Sequence, residues 1–314
     1  MKKIYHFVTL VFLGFVSFAQ ETTPKLENRF LEETLTYLAS DELEGRKTGT
    51  EGIEKAAVYM ENIFTESKLQ PFFTTYRDSF KVKGQTGYNL VALKEGNDPE
   101  LKEEYIVLGA HYDHIGKVKK DVDGDFIANG ANDNAAGTTA VVALAKQFAQ
   151  IETKRSILFV LFSAEEEGLE GSKHLAKKLD EAETDIYVLL NFEMIGVPLK
   201  GESYQAYLTG YEKSNLAEKF NHYAGEKVLG FFPKAQEFQL FKRSDNYPFY
   251  KYLNIPAQSL STFDFSNYDY YHHVKDESDL MDFAHMRKLI ESMSRGIEKM
   301  ANTPEKEIYL TPKK

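Results

Sequence analysis

Three short runs of uninterrupted apolar residues constrain the fold of this chain more tightly than anything else in it. They are Tyr105-Ile106-Val107-Leu108-Gly109-Ala110, Ser156-Ile157-Leu158-Phe159-Val160-Leu161-Phe162 and Ile186-Tyr187-Val188-Leu189-Leu190. Runs this short and this apolar suit strands buried on both faces, as in a parallel sheet with helices packed on either side. Amphipathic segments separate them, over 134–150 between the first and second and over 169–179 between the second and third. That alternation predicts an α/β fold with a doubly wound, mostly parallel central sheet and helices on both faces. Upstream, Leu31, Leu35 and Leu38, and then Ile53, Ala56, Ala57, Met60, Ile63 and Phe64, fall at helical spacing, and 72–82 and 88–93 read as strands. A last helix is predicted over 277–300, followed by a charged tail, 302–314, that reads as disordered. With 314 residues, no internal repeat, no Pro/Gly/Ser linker and no break in composition, a single domain is expected.

Composition narrows the chemistry. Zero Cys excludes a disulfide scaffold, a Cys-ligated zinc module and a cysteine nucleophile, so any metal must be held by His, Asp and Glu. A net charge of -10 argues against nucleic acid or an anionic membrane as partner, because both call for clustered Lys and Arg. The chain opens with Met1-Lys2-Lys3, an apolar stretch from Phe7 to Phe18, and Ser17-Phe18-Ala19 before Gln20. This is the pattern of a secretory signal peptide over 1–19, too short in its apolar part for an ordinary span, with cleavage expected after Ala19. The mature protein, its catalytic domain expected over 20–301, should then be secreted or periplasmic with no stable membrane insertion.

The residues just past each apolar run carry the chemistry. The first run ends in His111-Tyr112-Asp113-His114, the second in Ser163-Ala164-Glu165-Glu166-Glu167-Gly168 and the third in Asn191-Phe192-Glu193-Met194. Ligands of open α/β sheets bind outside the carboxyl ends of the strands, so three segments deliver imidazole and carboxylates to one edge. Asp133 arrives at the same edge from the loop Gly130-Ala131-Asn132-Asp133-Asn134-Ala135-Ala136-Gly137, just before a helix. Ser244-Asp245 and Tyr271-His272-His273 come later in the chain. Such convergence points to a metal site.

In combination these stretches resemble the co-catalytic zinc exopeptidases of metallopeptidase family 28, which includes secreted bacterial aminopeptidases, glutamate carboxypeptidases and glutaminyl cyclases. The resemblance spans roughly 41–283 and rests on five motifs in the family's order, starting at Gly109, Gly130, Ala164, Asn191 and Tyr271. It implies two zinc ions per chain bridged by Asp133, one held further by His111 and Glu193, the other by Glu166 and His272. It implies Glu165 as general base, the first acid of Ala-Glu-Glu being catalytic and the second a ligand. Asp113 would fix the His111 ring, and the Tyr271 hydroxyl would stabilise the developing oxyanion. Zinc takes this nitrogen and carboxylate set readily, and paired ions activate water and polarise a carbonyl. The activity so implied is an aminopeptidase acting on peptide or protein N-termini.

Other residues receive plainer readings. Glu167 and Glu170 read as an acidic surface run, His114 and His273 as supporting or packing residues, and Arg46 as one half of a structural ion pair. His272 is preferred over His273 as a ligand for its four-residue spacing to Asp276. Asp121, Asp123 and Asp125 read as a solvated loop, because Phe126 stands where a calcium loop needs Gly. Asp245 is a candidate for shaping the substrate site. Two positions depart from the family: Glu193 where many members carry Asp, and Asn246 where relatives often show His. Two alternatives stay open, a glutaminyl cyclase-like enzyme with one zinc and a non-catalytic secreted binding protein on a peptidase fold. No serine-hydrolase elbow, His-Glu-x-x-His helix, P-loop or dinucleotide fingerprint is present.

Overall fold

Residues 26–312 are described by the structure, a computed structural model, apart from the side chain of Asp121. The expected signal segment 1–19 lies outside the described residues. In chain order, α1 (Asn28–Leu38) and α2 (Glu51–Glu66) lead into β1 (Gln70–Pro71), β2 (Arg77–Val82) and β3 (Gln85–Lys94). Then come β4 (Tyr105–His111), a separate hairpin of β5 (Gly116–Val122) and β6 (Asp125–Ala128), α3 (Ala136–Phe148), β7 (Ser156–Phe162), α4 (Glu170–Glu181) and β8 (Ile186–Glu193). The remainder holds β9 (Ala206–Leu208), α5 (Leu216–Ala224), β10 (Leu229–Gly230), α6 (Pro233–Glu237), α7 (Asn246–Leu253), β11 (Ala257–Ser261) and α8 (Phe283–Asn302).

The three apolar runs are neighbours in the sheet, whose order is β1-β3-β7-β4-β8-β11-β9-β10, with β2 on β3. The central ladders β7–β4, β4–β8 and β8–β11 are parallel, and antiparallel strands close the edges. Alternation within each buried run explains why it is apolar throughout. Ile106, Leu108 and Ala110 pack with α1, α2, α3 and α8 on one face, while Val107 joins Leu175, Leu179 and Phe249 of α4 and α7 on the other. Chain direction reverses about β4, since β7 is laid on one side of it and β8 on the other. This is the topological switch at which open α/β sheets bind ligands. Among the described residues, no helix is long and apolar enough to cross a membrane.

Three expectations are corrected. The strand read over 72–82 is confined to Arg77–Val82, because 72–76 bows away between Phe72 N, bonded to Val91 O, and Tyr76 O, bonded to Val91 N. A Lys83-Gly84 turn with both φ values positive then carries the chain into β3. The last helix starts at Phe283, where the Asp282 side chain accepts from His285 N, and not at 277. The tail, read as disordered, is docked through Thr311, whose N–H donates to Lys213 O. Arg155, fully buried, donates to the carbonyls of Met300, Thr303 and Pro304. Ile308 is buried, its N–H donating to the Tyr187 hydroxyl, and Leu310 bridges to Ser214.

Candidate metal centre

Parallel register brings the first two candidate ligands together. Gly109 of β4 pairs with Asn191 of β8, so two residues further on His111 and Glu193 leave the same end of the sheet on the same face. His111 Nε2 lies 3.2 Å from Glu193 Oε1 and 3.3 Å from Asp133 Oδ1. The other oxygen of Asp133 turns to a second group: its Oδ2 is 3.2 Å from His272 Nε2, which is 3.1 Å from Glu166 Oε1. All five residues named from the sequence therefore meet, in two clusters that share Asp133.

The loop that carries Asp133 is pinned from three sides. Asp276 accepts from Asn132 N at 2.7 Å and from Asp133 N at 3.1 Å. Asn134 donates to Phe192 O and accepts from Gly137 N and Met194 N, tying the loop to the end of β8. Arg46 donates to Asn129 O and Gly130 O. Ala164, Met194 and His272 all take positive φ beside the clustered residues. For non-glycine residues this conformation costs on the order of 1 kcal/mol each, and such strain concentrates at functional sites.

Several individual readings change. The four-residue spacing from His272 to Asp276 has no direct link behind it, because Asp276 holds the Asp133 loop and the Tyr268 hydroxyl. His272 is nevertheless the residue at the site, while the His273 ring packs on Tyr270 and its Nδ1 accepts from Lys275 N. Asp113 does not fix the His111 ring with its carboxylate. His111 Nδ1 is 3.1 Å from the Asp113 backbone oxygen and 3.8 Å from Oδ1. The carboxylate instead accepts from Glu165 N at 3.1 Å and Glu166 N at 3.3 Å, so it orients the turn that presents both acids. Among the described residues Arg46 has no ion-pair partner. Its guanidinium is buried and donates to the carbonyls of Leu38, Tyr112, Asn129 and Gly130. Glu167 and Glu170 pair with Lys83 and Lys173 at the surface, as expected. His114 is the residue that sequence reasoning underrated. Its Nδ1 is 3.1 Å from Glu166 Oε1 and 3.8 Å from Asp133 Oδ2, inside the second cluster. The one available signal was its place three residues after His111 in the same strand-end turn.

The two clusters hold more carboxylate acceptors than imidazole donors. Burial works to lower the His111 and His272 pKa values, but the carboxylates overcome it. Glu193 and Asp133 raise His111 well above 6.5, and Asp133 and Glu166 raise His272 to about 10. Burial works to raise Asp133, yet His111 and His272 hold its carboxyl well below the usual range. Each imidazole Nε2 faces two carboxylate oxygens but has only one N–H to give, and among the described residues Asp133 Oδ2 accepts no well-directed hydrogen bond. Convergent oxygen and nitrogen lone pairs of this kind are what divalent zinc satisfies. Glu165, beside the clusters, is raised well above 4.5 by burial and by the negative charges of Asp245, Glu193 and Glu166, with His111 opposing. Asp245 is fully buried, and that burial raises it to about 7. A cleft opens next to the clusters, walled by Met194, Leu240, Phe263 and Phe265, with Glu165 and Tyr271 at its margin. The Tyr271 ring stacks on His272 at 4.0 Å while the residue stays 45% exposed.

The chain is 35% identical over 202 residues to "Leupeptin-inactivating enzyme 1" of Streptomyces exfoliatus, covering 63% of this chain and 40% of that protein. It is 31% identical over 148 residues to "Aminopeptidase YwaD" of Bacillus subtilis, covering 46% of this chain and 30% of that protein. The match thus spans less than half the length of these curated relatives. Among solved structures, a zinc aminopeptidase from Bacillus subtilis superposes with a TM-score of 0.71 at 16% identity, over 90% of this chain and 97% of that one. A glutaminyl cyclase from Porphyromonas gingivalis superposes with a TM-score of 0.69 at 14% identity, over 88% and 99%. At such identities the likeness is one of fold. The family model described as "Peptidase family M28" matches residues 89–296, and the chain belongs to that family.

Proposed function

We propose that the protein is an exported zinc-dependent aminopeptidase that hydrolyses the N-terminal peptide bond of peptides. The observation that carries the reading is the division of Asp133, one oxygen toward His111 and Glu193, the other toward His272 and Glu166. His111, Glu193 and Asp133 would hold one zinc ion, and Asp133, Glu166 and His272 the other, with His114 Nδ1 close to the second. Zinc bound there would supply Lewis acidity toward a substrate carbonyl and lower the pKa of water.

The chain's own residues do the remaining work. Glu165 lines the cleft beside the clusters, so as a carboxylate it takes a proton from the attacking water and delivers it to the leaving amine. The exposed Tyr271 hydroxyl donates to the carbonyl oxygen as negative charge develops there. Asp113 keeps Glu165 and Glu166 in register with each other through their backbone N–H groups. The acidic surroundings suit the ammonium of a free N-terminus, and the apolar cleft wall suits an apolar first side chain.

The test is Glu165→Gln, assayed on aminoacyl p-nitroanilides and N-blocked analogues, with zinc measured in parallel. The variant should keep two zinc ions per chain and lose about 10²- to 10⁴-fold in turnover. Wild-type turnover in the variant would remove the role of Glu165, and equal cleavage of blocked substrates would refute the aminopeptidase reading. One zinc per wild-type chain would move the reading to the glutaminyl cyclase alternative. Export rests on the sequence of residues 1–19, and an N-terminus at Gln20 in protein recovered outside the cytoplasm is its check.

A further inference from the structure

Behind Glu193 runs a buried line of polar side chains whose direction is dictated from its far end. Asn246, fully buried at the start of α7, has its Nδ2 3.1 Å from Phe241 O and 3.2 Å from Ala257 O. Backbone carbonyls only accept, so Nδ2 must face them and Oδ1 must face the other way. Oδ1 meets Ser259 Oγ at 2.7 Å, which obliges that hydroxyl to donate its one hydrogen there. Toward Asn191 the Ser259 oxygen can then only accept, and Asn191 Nδ2 lies 3.0 Å from it. The second hydrogen of Asn191 Nδ2 goes to Ser244 Oγ at 2.8 Å. Ser244 is left with its own hydrogen to donate, and it does so to Glu193 Oε2 at 2.5 Å.

We infer that Asn246, Ser259 and Asn191 are positioning residues for the first metal ion, acting through Ser244 to commit Glu193 Oε2 to a hydrogen bond. That leaves Oε1, which faces His111 and Asp133, as the oxygen free to bind metal. The inference rests on the two-zinc reading above. It also gives the two departures from the family a joint account. Glu193 has one more rotatable bond than Asp, and a donor of fixed direction on Oε2 removes the extra freedom. Asn246 supplies a donor face for two carbonyls and an acceptor face for Ser259 in a single side chain. Asn191 Nδ2 also lies 3.5 Å from Glu193 Oε2, and reversing that amide would turn its Oδ1 to Ser244 Oγ, in competition with Glu193 Oε2 for the single Ser244 hydrogen.

The experiment is zinc affinity at each of the two sites, by chelator competition, for wild type, Ser259→Ala, Ser244→Ala and the double variant. Partners that orient metal ligands are worth about 10- to 100-fold in affinity. Ser259→Ala is expected to weaken one of the two zinc ions about tenfold and leave the other and the unfolding midpoint nearly unchanged. Ser244→Ala should weaken the same ion at least as much, and the double variant no more than Ser244→Ala alone, since both act through one terminal hydrogen bond. Wild-type affinity in Ser259→Ala, equal weakening of both ions, or additive effects in the double variant would overturn the inference while leaving the two-zinc reading intact. A wild-type chain that binds a single zinc would overturn both.

Discussion

Replacing Arg46 tests how the fold holds its proposed metal-binding edge together. Its guanidinium reaches Leu38 O at the end of α1, Tyr112 O just beyond β4, and Asn129 O and Gly130 O before the Asp133 loop. Three segments distant in sequence are thus tied to one planar group, and its own carbonyl accepts from His114 N. Arg46→Leu leaves four buried carbonyls without this donor. At a net of about 1 kcal/mol per hydrogen bond the loss is about 4 kcal/mol. That is a large part of the 5–15 kcal/mol typical of a domain. Arg46→Lys keeps the charge, but one compact ammonium cannot span carbonyls on three sides, so about 2 kcal/mol is lost. Burial lowers the Arg46 pKa, to about 10, so the group is charged in folded and unfolded chains alike through pH 6 to 8, and both losses should be the same at either end. Urea unfolding of the three proteins, with zinc content measured on each, is the assay. The expected order is wild type, Arg46→Lys, Arg46→Leu, with zinc retention falling in step as the His111 and Asp133 loops loosen. A Leu variant within 1 kcal/mol of wild type would refute the reasoning. So would a loss that disappears in high salt, which would mark a screened ion pair in place of the carbonyl clamp.

Other consequences are as direct. Tyr271→Phe should lower kcat by about 10²-fold or somewhat less, with little change in stability, because the ring is 45% exposed and keeps its stacking on His272; unchanged kcat would remove the hydroxyl from the reaction. Glu277, beside Asn129 and Asp41, is raised by burial from 4.5 to about 7. Between those pH values the unfolded chain has released this proton while the folded chain still holds it, so the group's contribution to stability falls as pH rises from 4.5 to 7 and is level above. Glu277→Gln should therefore gain about 1 kcal/mol at pH 8, the full shift being discounted for solvent exposure, and nothing at pH 4; an equal effect at both would contradict this. Deleting 303–314 removes the Arg155 bonds to Thr303 O and Pro304 O together with the burial of Ile308, and should cost about 3 kcal/mol in urea unfolding; a neutral deletion would show the docked tail to be incidental.

The parts of the fold and site that were legible in the sequence are those with a local physical signature. A strand buried on both faces is apolar along most of its length, and the runs ending at Ala110, Phe162 and Leu190 announce β4, β7 and β8 without knowledge of their neighbours. The illegible parts depend on what lies across the fold. Nothing near Arg46 in sequence says that its partners are carbonyls at 38, 112, 129 and 130, where an acid would satisfy the charge equally well. The charged tail hides one anchoring Ile308, and its docking depends on Arg155, far away at the start of β7. Asp113 was expected to act on the imidazole two residues before it, and it acts on the backbone of a turn some fifty residues later.

Register links the legible to the illegible. β8 is flanked by two parallel strands, with Asn191 paired to Gly109 on one side and to Ser259 on the other. Because side chains alternate across a sheet, Asn191 and Glu193 share a face, as do Gly109 with His111 and Ser259 with Ser261. The absence of a side chain at Gly109 has a use here: a Cβ added at that position would come within 3.3 Å of Asn191 Oδ1 and 2.6 Å of the Phe162 ring. A slip of one residue in either ladder would send Glu193 or His111 to the opposite face of the sheet and separate the proposed ligands. The apolar residues that hold the register, Val107, Leu189 and Ala257, lie on that same face one pleat back from Gly109, Asn191 and Ser259. The core that stabilises the sheet therefore also sets which side chains reach the proposed metal-binding edge, and a core substitution that shifts β8 against β4 should disturb zinc affinity before it unfolds the chain.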